Sequence, residues 1–285
     1  MAQEPLLTTL LDLDAALKST PKLIIGGGYG LYLKQLYLLA NPQVRTLFAV
    51  DALPTARTTE DIDLILRAEI VTNSRSMGTI RAALDQLGFT VVETAKYTQF
   101  VRQMSPGQVK IDLLAPPLGE FASRVPNDAR RVRPRPSVNL HASKLEEALA
   151  VDRHAIPIPI QGQLSTGAAH STEVLIPQAF TYLLMKLGAY RDRVDDDDKD
   201  YGRHHALDIY RIVGLLTETE DSHVRQLHVE LAEHPTVDDA RAVAMTHFIA
   251  PDGLGRLRIR EHQLYNDRVD LDRLAAELKQ LFVVT

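Results

Sequence analysis

Hydrophobic positions change their spacing along the chain, from a mixture of periods in the first part to a helical period in the second. Leucines at helical spacing between residues 4 and 18 predict an opening amphipathic helix. Short apolar runs and alternating patterns up to residue 115 predict strands. The predicted strands cover 22–25, 61–66, 89–93, 97–103, 108–114, 156–160 and 174–176, and the predicted helices cover 4–18, 31–37, 76–87, 177–192, 199–217, 221–233, 237–249 and 270–283.

The order of these elements predicts an α+β protein. Helices and strands follow one another up to about residue 115, which is typical of a small mixed sheet covered by helices. The composition shifts at Ala115-Pro116-Pro117. We therefore predict a first domain over residues 1–118, a basic linker with short strands over 119–176, and a mainly helical domain over 177–285.

Acidic side chains interrupt two of the predicted strands. Asp61 and Asp63 are two residues apart, so they lie on the same face of strand 61–66. Asp112 interrupts the apolar strand 108–114 in the same way. If the two strands are neighbours, three carboxylates converge, and such a cluster is typical of a Mg²⁺ site that also holds phosphates. The alternative is a strand end with solvated acids.

Three glycines, Gly26, Gly27 and Gly28, lie between the strand 22–25 and the helix 31–37. A strand, a glycine turn and a helix start together form an anion site, because bare amides and the helix N-terminus face the ligand. The spacing matches neither the dinucleotide-binding pattern nor the P-loop pattern. The alternative is a tight turn without a ligand.

Composition excludes several classes of protein. The 285 residues contain no cysteine, which excludes disulfides, thiol catalysis and cysteine-ligated zinc. No apolar run approaches about 18 residues and no leader is visible, so we expect a cytoplasmic protein without a membrane span. The net charge is −5, so a nucleic-acid contact requires a local basic patch. The dense basic stretch, either a solvated linker or a phosphate-tracking surface, contains Arg124, Arg130, Arg131, Arg133 and Arg135.

Two charged residues lie within apolar helical patterns. Lys186 is surrounded in sequence by apolar residues of helix 177–192, where an unpaired ammonium would be costly. Asp208 lies between Leu207 and Ile209 in helix 199–217. Two interpretations stay open: a buried pair of Lys186 with Asp208 that joins the helices, or a Lys186 that meets an anion while Asp208 orients it.

Taken together, these motifs resemble known nucleotidyltransferases. Gly26-Gly27-Gly28, the stretch from Arg57 to Asp63, and Asp112 resemble the polymerase-beta type of nucleotidyltransferase fold. The segments 185–193 and 203–210 resemble the second half of AbiEii-type nucleotidyltransferases. That family includes toxins of type IV toxin–antitoxin systems and MenT-type toxins that modify tRNA. The chain departs from the family in the long stretch between Gly27 and Asp61 and in the segment His204 to Asp208, which keeps only the final acid of the family's Arg-Asp-x-x-Asp.

The resemblance implies a reaction and a set of residues. We expect residues 1–118 to be the catalytic domain and residues 177–285 to close the active-site cleft. The expected reaction moves a nucleoside monophosphate from a nucleoside triphosphate to RNA, at the tRNA 3′ end, or to a protein hydroxyl, by a toxin with a cognate antitoxin protein. The alternatives are nucleotidylation of a small molecule such as an aminoglycoside, and a catalytically inactive binding module.

The implied residue roles divide between metal, catalysis and nucleotide. Asp112 either completes the metal site or acts as the general base. Arg57 either reaches phosphate or pairs with Glu60, and Thr59 either binds phosphate or caps its loop. The resemblance implies Mg²⁺ or Mn²⁺ on Asp61, Asp63 and Asp112, catalysis by these three with Lys186 and Asp208, and nucleotide binding by Gly26, Gly27, Gly28, Arg57, Thr59, Lys186, Arg191 and Arg193.

Overall fold

The chain divides into two units, one built around a β-sheet and one built from helices. The computed structural model describes residues 4–18, 22–55, 61–104 and 107–282. The chain is α+β with a mixed sheet, as the sequence predicts. The sheet unit comprises Met1–Gly30, Thr58–Glu146 and Ala155–Pro177, and the helical unit comprises Leu31–Arg57, Glu147–His154 and Gln178–Thr285.

Nine strands among the described residues form one sheet. The strands are β1 (Ile24–Ile25), β2 (Asp61–Ile65), β3 (Thr90–Val91), β4 (Gln99–Gln103), β5 (Gln108–Ala115), β6 (Arg131–Val132), β7 (Ala142–Lys144), β8 (Ile156–Gln163) and β9 (Ala169–Ile176). The order in the sheet is β3-β4-β5-β2-β1-β9-β8, and β7 pairs with both β5 and β6. The pairs β2–β5, β1–β9 and β5–β7 are parallel, and the other pairs are antiparallel.

Burial alternates along the strands, because successive side chains point to opposite faces of the sheet. In β5, Val109, Ile111 and Leu113 are buried, whereas the residues between them are half-buried. The edge strand β8 alternates in the same way and carries Pro157 and Pro159 at its exposed positions. Proline lacks an amide hydrogen, so these two residues suit a strand that has a neighbour on one side only.

Residues 119–176, predicted as a linker, contribute four strands to the sheet. Apart from Glu147–His154, they belong to the sheet unit. The pairing is long-range: Ile24 of β1 lies opposite Leu175 of β9. The local pattern predicts β8 and β9 as strands but carries no information on their partners, which explains why the predicted boundary differs from the structure.

Ten α-helices lie within the described residues, and most match the predicted segments to within a few residues. The helix predicted after the glycines instead begins among them, at Gly27. A helix over Leu254–Arg260 was not predicted, because arginine at every second position hides the helical period. The helices are α1 (Pro5–Leu17), α2 (Gly27–Ala40), α3 (Ala68–Val71), α4 (Ser74–Gln86), α5 (Ala179–Arg191), α6 (Arg203–Gly214), α7 (Glu218–Glu230), α8 (Pro235–Ala244), α9 (Leu254–Arg260) and α10 (Leu271–Phe282).

Helix α5 is the central helix of the helical unit. It packs against α6, α7 and α8, and nearly all of its residues are buried. Burial on all sides explains why its sequence is apolar around the whole helix. Every helix within the described residues is too short or too polar to cross a lipid bilayer.

A buried ion pair joins three segments of the helical unit. Lys34 Nζ lies 2.7 and 2.8 Å from the two carboxylate oxygens of Glu220, and both side chains are about 95% buried. Glu220 also accepts the backbone N–H of Ala179 at the start of α5. With Thr217 it forms a capping box at the start of α7. One carboxylate thus satisfies donors from α2, α5 and α7.

We predict that Glu220→Ala lowers the free energy of unfolding by roughly 3–5 kcal/mol, because it leaves the Lys34 ammonium buried without its partner. Urea denaturation of the purified variant measures this change. Glu218→Ala is the control, since Glu218 is 75% exposed in its pair with Arg45, and it should change the free energy by less than about 1 kcal/mol. Equal effects of the two variants would contradict the prediction.

Candidate functional site

The predicted acidic residues lie on one face of two adjacent strands. β2 and β5 pair in parallel, with Asp63 opposite Asp112 and Asp61 opposite Lys110. Residues in register on neighbouring strands point to the same face, and alternation brings residues two apart to that face as well. The register therefore brings three carboxylates and one ammonium together. We call these four residues the acidic face.

The glycine turn places the start of α2 against Asp63. A Cβ atom at Gly27 would lie 1.8 Å from Asp63 Oδ2, and Gly27 has φ +62°, so only glycine fits. The N–H of Gly26 donates to the carbonyl oxygen of Asp63 at 2.8 Å. The amide of Gly26, predicted to bind phosphate, is thus already used by the backbone. Gly27 and Gly28 form the helix start, whose positive end can attract an anion.

Lys110 is the member of the acidic face that the sequence analysis missed. Its Nζ lies 3.4 Å from Asp61 Oδ1 and 3.4 Å from Asp112 Oδ2. Burial alone would lower the pKa of Lys110, but the charges of Asp112 and Asp61 raise it above its ordinary value. The signal was present in the sequence, because Lys110 precedes Asp112 by two residues in one strand.

The side chain of Asp112 is more buried than that of Asp61, which is 46% exposed. The Asp112 side chain is 17% exposed, and its Oδ1 atom is buried without a hydrogen-bond partner among the described residues. Burial raises the pKa of Asp112 to about 6, against the opposing effect of Lys110 and with a smaller contribution from Asp63 and Asp61. The carboxyl group is therefore mostly ionised at neutral pH but carries a clear electrostatic cost.

The acidic face has the donor atoms for a divalent cation. Carboxylate oxygens are the ligands that Mg²⁺ and Mn²⁺ prefer, and Asp112 offers a buried oxygen that has no hydrogen-bond partner among the described residues. The three carboxylates do not yet form a closed site. In the part of the chain that the structure describes, only Asp196–198, on an acidic loop, have three oxygens within 4.8 Å of one another. Cation binding at the acidic face thus requires its side chains to move closer.

Lys186 and Asp208 form a buried ion pair in the helical unit, with Nζ 2.7 Å from Oδ2. Arg211 donates to the other oxygen of Asp208 at 3.1 Å and to Gln35 Oε1 at 2.7 Å. The structure therefore shows the helix-joining pair that was one of the two interpretations of these residues. Contact of Lys186 with a nucleotide stays a prediction.

Arg191 and Arg193, at the end of α5, contact groups of the helical unit itself. Arg193 donates to a carbonyl oxygen of α5 at 2.9 Å. Arg191 lies 2.9–3.4 Å from three carboxylates, which weakens the case that it binds phosphate. The other two predicted nucleotide-binding residues, Arg57 and Thr59, lie outside the described residues. The carboxylates around Arg191 belong to Glu147, Asp192 and Asp239.

A cleft of about 1000 Å³ lies in the helical unit, and the sequence pattern does not predict it. It is lined by α2, residues 42–51, α7 and α10, and no residue predicted for catalysis is among its walls. Its arginines pair with acids of the same cleft, so they leave little excess charge for a phosphate. These pairs are Arg45–Glu218 at 3.8 Å, Arg225–Asp221 at 2.8 Å and Arg273–Glu277 at 4.0 Å.

Comparison with protein-family models, with curated proteins and with solved structures gave no match to this chain. The nucleotidyltransferase resemblance of its motifs therefore stays a prediction. The geometry of the acidic face is what indicates a function.

We predict that Asp112→Asn stabilises the metal-free protein at pH 8. The pKa of Asp112 is about 6 when folded and 3.8 ordinarily, so the folded state holds more protons between these values. Stability therefore falls as the pH rises through this window, and removing the charge should restore about 1–3 kcal/mol above it. Urea denaturation in EDTA at pH 5, 6.5 and 8 measures the effect.

The gain from Asp112→Asn should shrink towards pH 5, where the wild-type carboxyl group becomes protonated. Asp85→Asn, at an exposed position of α4, is the matched control and should show no such trend. A gain that grows towards acid pH would contradict the assignment.

Proposed function

We propose that this protein is a metal-dependent nucleotidyltransferase that moves a nucleoside monophosphate from a nucleoside triphosphate to a hydroxyl group. The acceptor is RNA, in the first place the tRNA 3′ end, or a protein. The register that sets Asp63 opposite Asp112, beside the start of α2, is the observation that supports this most. The AbiEii-type resemblance adds that the protein is a toxin with a cognate antitoxin.

In this proposal, Asp61, Asp63 and Asp112 hold the divalent cation, Mg²⁺ or Mn²⁺. When bound, such a cation neutralises the triphosphate and stabilises the charge of the departing pyrophosphate. The positive end of α2, at Gly27 and Gly28, attracts the phosphates.

Asp112 can act on the acceptor hydroxyl. The hydroxyl oxygen bonds to the α-phosphorus while the bond from that phosphorus to the pyrophosphate oxygen breaks, and the hydroxyl proton must leave. Asp112 Oδ1, a buried acceptor without a hydrogen-bond partner in the described structure, can take this proton. The alternative is that Asp112 serves only as a cation ligand. Both roles need the ionised form.

Lys186 and Asp208 enter the proposal through the resemblance, which assigns them to catalysis and nucleotide binding. Their buried pair also has a structural role, because it neutralises charge between α5 and α6. The two roles are compatible, since a lysine held by one carboxylate keeps two further N–H donors for another anion.

An exposed basic and aromatic surface favours RNA as the acceptor over a small cationic molecule. Four of the five arginines between 124 and 135 are exposed, whereas Arg131 is held by Asp128 at 3.8 Å and by the carbonyl oxygen of Lys96 at 3.4 Å. Tyr97, next to Lys96, exposes 38% of its surface. Cations beside an exposed ring are typical of surfaces that bind single-stranded RNA. The exposed arginines are Arg124, Arg130, Arg133 and Arg135.

We predict that the protein transfers label from an α-labelled nucleoside triphosphate to tRNA in the presence of Mg²⁺ or Mn²⁺. Asp63→Asn should lower the rate roughly a hundredfold or more, because several kcal/mol of charge stabilisation are lost. Asp85→Asn, which removes an equal charge from an exposed position of α4, should keep the wild-type rate. Induced expression should arrest growth with the wild type and not with Asp63→Asn.

Absence of label transfer with all four triphosphates, at any Mg²⁺ or Mn²⁺ concentration and with tRNA or protein acceptors, would overturn the proposal. If a folded Asp63→Asn variant transfers label at the wild-type rate, the active site does not lie at the acidic face.

We further predict that replacing Arg130, Arg133 and Arg135 together by alanine weakens RNA binding and lowers the salt dependence of the affinity. Each lost phosphate contact should reduce the slope of log K against log salt by about 0.7. Filter binding between low and moderate salt measures this slope. The matched control replaces three arginines of the helical unit, the exposed Arg45 and Arg225 and the half-buried Arg153. If RNA transfer and binding stay unchanged in the test variant, a small-molecule acceptor becomes the better proposal.

A further inference from the structure

Lys110 places its ammonium group between two carboxylates of the acidic face. Its Nζ bridges one oxygen of Asp61 and one of Asp112, at 3.4 Å from each. Its side chain is 28% exposed, so the contact is neither deeply buried nor a free surface pair. One ammonium thus holds together carboxylates that come from two different strands.

The same oxygens are those that a divalent cation would have to bind. Asp61 and Asp112 point at the ammonium, and the three carboxylates do not come within 4.8 Å of one another as a group. A cation that binds here carries twice the charge of the ammonium and repels it at short range. The ammonium and the cation therefore compete for one place.

We propose that Lys110 is a resident counter-cation of the acidic face, which positions Asp61 and Asp112 in the metal-free protein and is displaced from them when a divalent cation binds. This inference rests on the proposed function, because it assumes that the acidic face binds a cation. Lys110 is a positioning residue in this scheme. In the metal-free protein its charge offsets the repulsion between the carboxylates, and a bound cation would offset that repulsion in its place.

A Lys110 that competes with the cation and a Lys110 that only supports the sheet predict different changes in cation affinity when Lys110 is removed. If Lys110 only stabilised the sheet, its loss would leave cation affinity unchanged or weaken it through a disordered site. If Lys110 competes, its loss strengthens cation binding while it destabilises the metal-free protein. The direction of the change in affinity therefore separates the two roles.

The test is a titration of the purified, nucleotide-free protein with Mn²⁺, followed by electron paramagnetic resonance of the free ion. Lys110→Met should bind Mn²⁺ roughly tenfold more tightly than the wild type, in the range of ordinary coupling between two sites. In EDTA it should melt at a lower temperature. Lys110→Arg, which keeps the charge, should stay within about threefold of the wild type.

Lys22→Met is the matched control, because Lys22 is an exposed lysine of the sheet unit paired with Glu173. It should leave the Mn²⁺ affinity unchanged. Unchanged or weaker binding by a folded Lys110→Met would overturn the inference while leaving the proposed function intact. Absence of Mn²⁺ binding to both the wild type and Lys110→Met would overturn both, and wild-type binding that is lost in Asp112→Asn locates the ion at the acidic face.

A measurement on the wild type covers the case in which Lys110→Met does not fold. An amine-reactive acylating reagent modifies lysines, and mass spectrometry gives the rate for each one. Addition of Mg²⁺ should raise the rate at Lys110 several-fold, because displacement frees its Nζ, and leave the rate at Lys22 unchanged. Constant or slower modification of Lys110 in saturating Mg²⁺ would contradict displacement.

Discussion

The parallel register between β2 and β5 is the constraint on which the candidate site depends. Asp63 lies opposite Asp112 because the intervening apolar residues of both strands point into the core. A slip by one residue would turn Asp112 towards the core and Ile111 towards solvent, and a buried carboxylate without a partner costs several kcal/mol. The hydrophobic pattern that folds the sheet thus also aligns the acids.

Because of this alignment, three carboxylates that repel one another lie close together in the folded protein. Asp112 is desolvated and faces two other carboxylates, which raises its pKa to about 6. Lys110 offsets part of this cost at Asp112, and the positive end of α2 at Gly27 lies against Asp63. Strain of this kind is expected at a site that binds a cation, because the ligand supplies the missing charge.

Sequence reasoning predicted what depends on local pattern. Alternation placed Asp61 and Asp63 on one face, and the cost of a charge in an apolar helix indicated that Lys186 needs a partner. The sequence pattern did not predict contacts between residues that are far apart in the chain. Two such contacts exist only in the assembled sheet: the pairing of Ile24 with Leu175, and the hydrogen bond from the Gly26 N–H to the carbonyl oxygen of Asp63. Lys110 is the exception, since its spacing from Asp112 was visible.

The buried network around Asp208 limits what its variants can reveal. Asp208 accepts from Lys186 and from Arg211, so one carboxylate faces two buried cations. Removing it leaves both cations without that partner, and the loss of stability alone can abolish activity. A catalytic role for Asp208 therefore requires a variant that stays folded yet fails at the chemical step. Asp61 and Asp63 instead line a sheet face that is partly open to solvent. Their variants are therefore the more direct evidence for or against nucleotide transfer.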